Sequence, residues 1–189
     1  RFQAENPPLQ DRVPVSSDQP ASLHLSGVVV AILLLVVHLA VMASAAPDDY
    51  VAAFGASARH ILGGDIYRCV TALLLHADVA HVVGNMAAVA FFGGAVCAGT
   101  GTGVGWLLIL ACGASGNLAN AAAHDSAHLS IGASTAVFGS VGMLCAIEAV
   151  NAVKTGRGWK RSLMAVGAGL AAAPGLAALF RAAAFWAAV

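Results

Sequence analysis

In the stretch HLSIGASTAVFGSVG (128–142), Ser134 and Thr135 stand among glycines and alanines at the mouth of a long apolar run. A serine hydroxyl becomes a nucleophile when a base within hydrogen-bond reach takes its proton, and the oxyanion that follows needs donors. His81 and Asn85 lie four apart in an earlier apolar run and share one helix face, where two donors can hold an anion or a developing oxyanion. The same pair also suits interhelical glue, and a serine among small residues also suits plain packing. His76, five residues before His81, is expected to turn away from that face. His76, His124 and His128 fall near interfaces, where a solvated histidine is the default, and His38 and His60 stand alone. The base is left open.

These residues need elements to hold them, and composition says in which solvent. Hydrophobic residues make up 59% of the 189-residue chain and charged residues 10%, against roughly 25% charged in a soluble domain. Too few charges remain to coat an ordinary core, so lipid must be the solvent for most of the surface. Nine basic residues balance nine acidic ones, and nothing points to nucleic acid. Cys69, Cys97, Cys112 and Cys145 are scattered singly, which is neither a metal spacing nor a disulfide framework; they read as small buried hydrophobes.

Apolar runs at 25–45, 77–97, 104–123, 131–150 and 162–180 are each close to the roughly 20 residues a spanning helix needs. Small residues four apart, Gly132 with Ala136 and Thr135 with Gly139, predict a close helix neighbour for the fourth run. Residues 1–24 form a polar, proline-bearing tail, and 25–189 form the membrane domain. ASAAPDD, at 43–49, looks a little like a signal-peptidase site, but the run before it is too long and its flank too acidic; a retained helix fits better. Lys154, Arg157, Lys160 and Arg161 cluster in one short loop, which the positive-inside rule places in the cytoplasm. Counting back places the N-terminal tail and 98–103 inside, and 46–75 and 124–130 outside, with Ser134 just below the outer surface.

Three motifs in order resemble the rhomboid family of intramembrane serine proteases. YRCVTALLLHADVAHVVGNM (67–86) is similar to the family's first outer loop and second helix. GASGNLANAAAH (113–124) is similar to the end of its third helix, and GASTAVFG (132–139) to the Gly-x-Ser motif that opens its fourth. The resemblance implies an all-α, polytopic membrane helical bundle of about five to six transmembrane helices. It implies Ser134 as nucleophile, with His81 and Asn85 forming the oxyanion hole beside the Ser134 backbone N–H. His76, Gly132 and Arg68 would border the substrate and water cavity, and Gly139 would be a packing glycine. The partners implied are transmembrane protein substrates within the lipid bilayer, with neither metal nor organic cofactor. Short loops and a tail without a targeting signal suggest a bacterial plasma membrane.

The sequence departs from the family pattern in three places. Thr135 stands where glycine is usual, adding bulk and a hydroxyl that can bond back into its own helix. Tyr67 replaces a tryptophan. The family's base is a histidine on a sixth helix, whereas all seven histidines here lie at or before His128. The segment at 174–189 shows no match to that helix, and His128, in the outer loop, is a poor substitute. The expected reading is an incomplete rhomboid protease, shortened or shifted in frame, that cleaves poorly as it stands. The alternative is a catalytically dead relative that binds transmembrane clients. A transporter would show internal repeats or broken helices, and neither is apparent.

Overall fold

A computed structural model of the chain describes residues 24–124 and 128–156. The N-terminal tail, most of the basic loop, the run at 162–180 and the segment at 174–189 lie outside the described residues. Four helices within them are long and apolar enough to cross a membrane: Leu25–Met42, Val79–Thr100, Thr102–Ala123 and Ser134–Lys154. The first four expected spans are present, each shifted by a few residues.

Helix α1, Leu25–Met42, buries Gly27, Ala31, Leu34, His38 and Val41, spaced alternately four and three apart. That spacing keeps one stripe on the bundle. The rest of its surface, including Val29, Ile32, Leu33, Val36 and Leu39, is apolar and exposed, as a helix wetted by lipid requires. Gly27 lets α1 pack onto the Val79–Thr100 span, since a Cβ there would come 2.7 Å from the Ala90 carbonyl oxygen.

Residues 46–75 are more than a polar connection. They hold α2 (Pro47–Phe54), strand β1 (Ala56–Ser57), α3 (Ala58–Leu62) and α4 (Arg68–Thr71), which tightens into a 3₁₀ turn at Ala72–Leu74. Arg68 organises this loop. Its side chain, 5% exposed, donates from one terminal nitrogen to the Ala52 carbonyl at 2.8 Å and the Gly55 carbonyl at 3.2 Å. Its Nε reaches Asp65 at 3.4 Å. Arg68→Ala is expected to leave those carbonyls unpaired at a cost of about 1–3 kcal/mol each. Limited proteolysis should then cut faster within 46–66; an unchanged rate would show that the loop is held by other contacts.

The second span runs as α5 (Val79–Ala88), a π-helical turn (Val89–Gly93) and α6 (Gly94–Thr100). The expected loop at 98–103 collapses to Gly101, whose φ of +85° reverses the chain directly into α7, Thr102–Ala123. Strand β2 (Leu129–Ser130) pairs antiparallel with β1, joining Ala56 to Ser130 and Ser57 to Leu129. The two loops expected on one membrane face therefore meet at one end of the bundle. Helix α8, Ser134–Lys154, packs along α7. A Cβ on Gly139 would come 2.5 Å from Cys112 Cβ, and one on Gly113 would come 2.9 Å from Ala136 Cβ. The seam expected for Gly139 is real, and its partner is α7. Cys69 and Cys97 are buried as expected, whereas Cys112 and Cys145 are only half-buried.

Candidate functional site

The run containing Ser134 becomes helical three residues later than its hydropathy suggests, because Gly132 adopts a φ of +117°. L side chains disfavour that conformation, so the chain turns at Gly132 and Ser134 becomes the first residue of α8. Ser134 thus presents its backbone N–H among the unpaired donors at the start of a helix. Gly132 is not part of the small-residue seam. A Cβ there would meet His81 Nε2 at 2.6 Å and Asn85 Nδ2 at 3.5 Å. The missing side chain is what lets the imidazole and the amide approach the turn before Ser134.

His81 is held by the start of its own helix. Asp78 caps α5, its carboxylate accepting the His81 backbone N–H at 2.7 Å. One turn later Asn85 is 0% exposed, and neither end of its amide has a hydrogen-bond partner among the described residues. A buried amide that makes no bond is costly, so interhelical glue does not describe it.

His76 departs from expectation. It precedes the helix, where a helical wheel has no meaning, and its ring meets His81 edge-on at 5.0 Å between centroids. It is 3% exposed, not solvated. Its Nδ1–H donates to the Leu74 carbonyl at 3.3 Å, which leaves Nε2 as a buried acceptor without a partner. Burial, then the neighbouring His81 and later His38, push its pKa down to about 4. His76 is therefore neutral at ordinary pH. His38, which stood alone in the sequence, is 2% exposed, and its Nδ1 is unpartnered. The signal for it was present in sequence: it falls on the four-three stripe with Gly27, Ala31, Leu34 and Val41.

On the far side of Ser134 a cavity of about 570 Å³ opens between α7, β2 and α8, lined by Asn117, Asn120, His128, Ser130, Ser134 and Thr135. Thr135 does not bond back into its helix; its hydroxyl donates to Asn117 Oδ1 on α7 at 3.3 Å. The Asn117 amide in turn donates to the Cys69 carbonyl at 2.8 Å. His128 shares the cavity with Ser134, but its Nε2 accepts the Asn120 amide at 2.9 Å. A neutral ring bonded in that way carries its proton on Nδ1 and has no lone pair left for a serine. His124 stacks on it at 4.3 Å.

The structure thus brings His76, His81, Asn85 and Gly132 together, with Ser134 two residues beyond the glycine. Arg68 stays apart, bonded to loop carbonyls rather than lining the cavity. Against this geometry, the family model of the Rhomboid domain matches residues 63–188. The chain belongs to the rhomboid family. No curated protein and no solved structure matches it. A rhomboid chain with four membrane-length helices is an integral membrane protein, an all-α polytopic bundle. Within the rhomboid match fall His76, His81, Asn85 and Gly132, and all three elements that flank the cavity.

Proposed function

We infer that this protein is an intramembrane serine endopeptidase in which Ser134 attacks a carbonyl in or beside a substrate's transmembrane segment. The peptide C–N bond would break as the ester forms, with the Ser134 hydroxyl proton ending on the departing amine, and water would then hydrolyse the acyl-enzyme to a free carboxylate and restore the serine. His81 Nε2 and Asn85 Nδ2, with the Ser134 N–H, would hold the oxyanion. The observation supporting this most directly is the approach of His81 and Asn85 to Gly132, where a single added carbon would collide with the imidazole. Two side-chain donors and a helix N-terminus facing one turn make an arrangement suited to developing negative charge. Neither metal nor organic cofactor enters this chemistry.

The orientation that goes with this reading puts the N-terminal tail in the cytoplasm and Ser134 near the outer face of a bacterial plasma membrane. It is supported by the basic loop after α8 and by the meeting of β1 and β2 at the end of the bundle where Ser134 lies.

The test is proteolysis of a reporter transmembrane substrate in liposomes. Asn85→Ala should lower kcat by about 10²–10³-fold with little change in KM, because the bond to the oxyanion is made only in the transition state. His81→Ala should behave alike. A wild-type kcat in both variants would remove the oxyanion assignment.

A second reading is favoured by His128, which shares the cavity with Ser134 but has no ring lone pair left for its hydroxyl. In that reading the chain binds transmembrane clients without cutting them. It predicts that clients co-purify equally with wild type and Ser134→Ala, and that neither cleaves.

A further inference from the structure

We infer that Asn117 of α7 and Thr135 of α8 are a positioning pair that holds the first turn of α8, and with it Ser134, in register with His81 and Asn85. This rests on the reading of Ser134 as the nucleophile.

Ser134 has little of its own to hold it. It opens α8, no side-chain cap bond is made at Ala133, and the first four N–H groups of a helix lack intrahelical partners. A first turn of that kind frays unless its neighbours are tied down. Both flanks of Ser134 are tied, and to the same short stretch of chain. Before it, the Gly132 N–H donates to the Ala72 carbonyl at 2.9 Å. After it, the Thr135 hydroxyl donates to Asn117 Oδ1 at 3.3 Å, and Asn117 Nδ2 donates to the Cys69 carbonyl at 2.8 Å. Cys69 lies in α4 and Ala72 opens the 3₁₀ turn that continues it.

The direction of this relay is forced. A carbonyl only accepts, so the Asn117 amide nitrogen must face Cys69, and the amide oxygen is left to accept from Thr135. Asn117 is 3% exposed, where an amide that loses a partner is costly. Gly116 makes the approach possible, since a Cβ there would come 3.1 Å from Thr135 Cβ. The threonine that stands where glycine is usual therefore meets a partner on α7, across a gap that a glycine leaves. His81 and Asn85 stand on a different helix, so any drift of the first turn of α8 moves the Ser134 hydroxyl and N–H relative to both. A misplacement of about 1 Å in such a site costs about 10²-fold in rate. A valine at 135 would fill the same space and make no bond, which separates positioning from packing.

The test uses the full chain, in lipid nanodiscs for amide exchange and in liposomes for cleavage. The probes are the Gly132 and Val137 amides, bonded to the Ala72 and Ala133 carbonyls at 2.9 and 3.0 Å. In Thr135→Val both should exchange about 10-fold faster than in wild type, while amides beyond the second turn of α8 do not change. In the same variant kcat should fall by about 10- to 100-fold at unchanged KM. Thr135→Ser, which keeps the hydroxyl, should restore both. Asn117→Ala should lose kcat to a like extent, and the double variant should lose no more than the larger single loss, as one shared interaction requires. If Asn117→Ala does not fold, the valine and serine variants decide alone. Wild-type exchange and kcat in Thr135→Val would overturn the proposal, as would a loss that Thr135→Ser fails to restore. Failure of the site reading looks different: cleavage would then persist in Ser134→Ala or be absent from wild type, while exchange at Gly132 and Val137 still followed the hydroxyl.

Discussion

Ser134→Ala is expected to abolish cleavage, taking kcat from the wild-type value to the uncatalysed background, and to leave the fold intact. The kinetic half follows from chemistry: no other hydroxyl occupies the first position of α8, and alanine offers no nucleophile. The structural half follows from how little the hydroxyl does for the fold. Ser134 is half-buried, the N-cap position belongs to Ala133, and no side-chain cap bond is made there. Removing one oxygen costs neither a cap nor a core contact. The measurement is paired: substrate cleavage in liposomes, and Tm of the purified variant. Residual cleavage at wild-type rate would mean that another group attacks. Loss of Tm together with activity would mean that Ser134 is a packing residue after all.

The same experiment separates the protease from the client-binding reading. A protease gives cleavage in wild type and none in the variant. A client-binding relative gives none in either and captures clients equally, because an alanine at the rim of the cavity barely changes its shape.

The spans were legible because membrane helices are written in bulk: runs of about 20 apolar residues need no partner to be recognised. Their ends were not, because ends are set locally. Asp78 starts α5 by accepting the His81 N–H, and Gly132 delays α8 by its positive φ. Neither is visible to hydropathy. The same limit explains His76. A helical wheel drawn backwards from His81 crosses the Asp78 cap, beyond which the chain is no longer a helix, and the ring swings onto His81 instead of away from it. His81, Asn85 and Ser134 stand out as candidates in sequence because their types and order match a family motif. Thr135 and Arg68 were misplaced because their partners are distant in sequence. The Thr135 hydroxyl finds Asn117, 18 residues away, and the Arg68 guanidinium finds Ala52, 16 residues away. Tertiary geometry decided both. His38 is obscure for a simpler reason: one polar residue in an apolar helix says little by itself, and only its place on a four-three stripe of otherwise small or apolar residues marks it as facing the bundle.

Gly132→Ala is expected to disable the site without deleting any functional group. Two penalties act together. The backbone at φ +117° is one that an alanine enters only at a cost of about 1–3 kcal/mol. The new methyl would also stand 2.6 Å from His81 Nε2. The collision is relieved either by pushing the imidazole out of the hole or by moving the turn that presents Ser134. Both displace a donor from the oxyanion position, and kcat should fall by at least about 10²-fold. Stability should fall as well, which by itself would not distinguish a damaged site from a damaged fold. A double-mutant cycle makes the distinction. In the His81→Ala background the methyl has room, so the further stability loss on Gly132→Ala should shrink towards the backbone penalty alone. If it does not shrink, the imidazole is not what Gly132 accommodates. If Gly132→Ala cleaves like wild type, the approach of His81 to this turn has no part in catalysis.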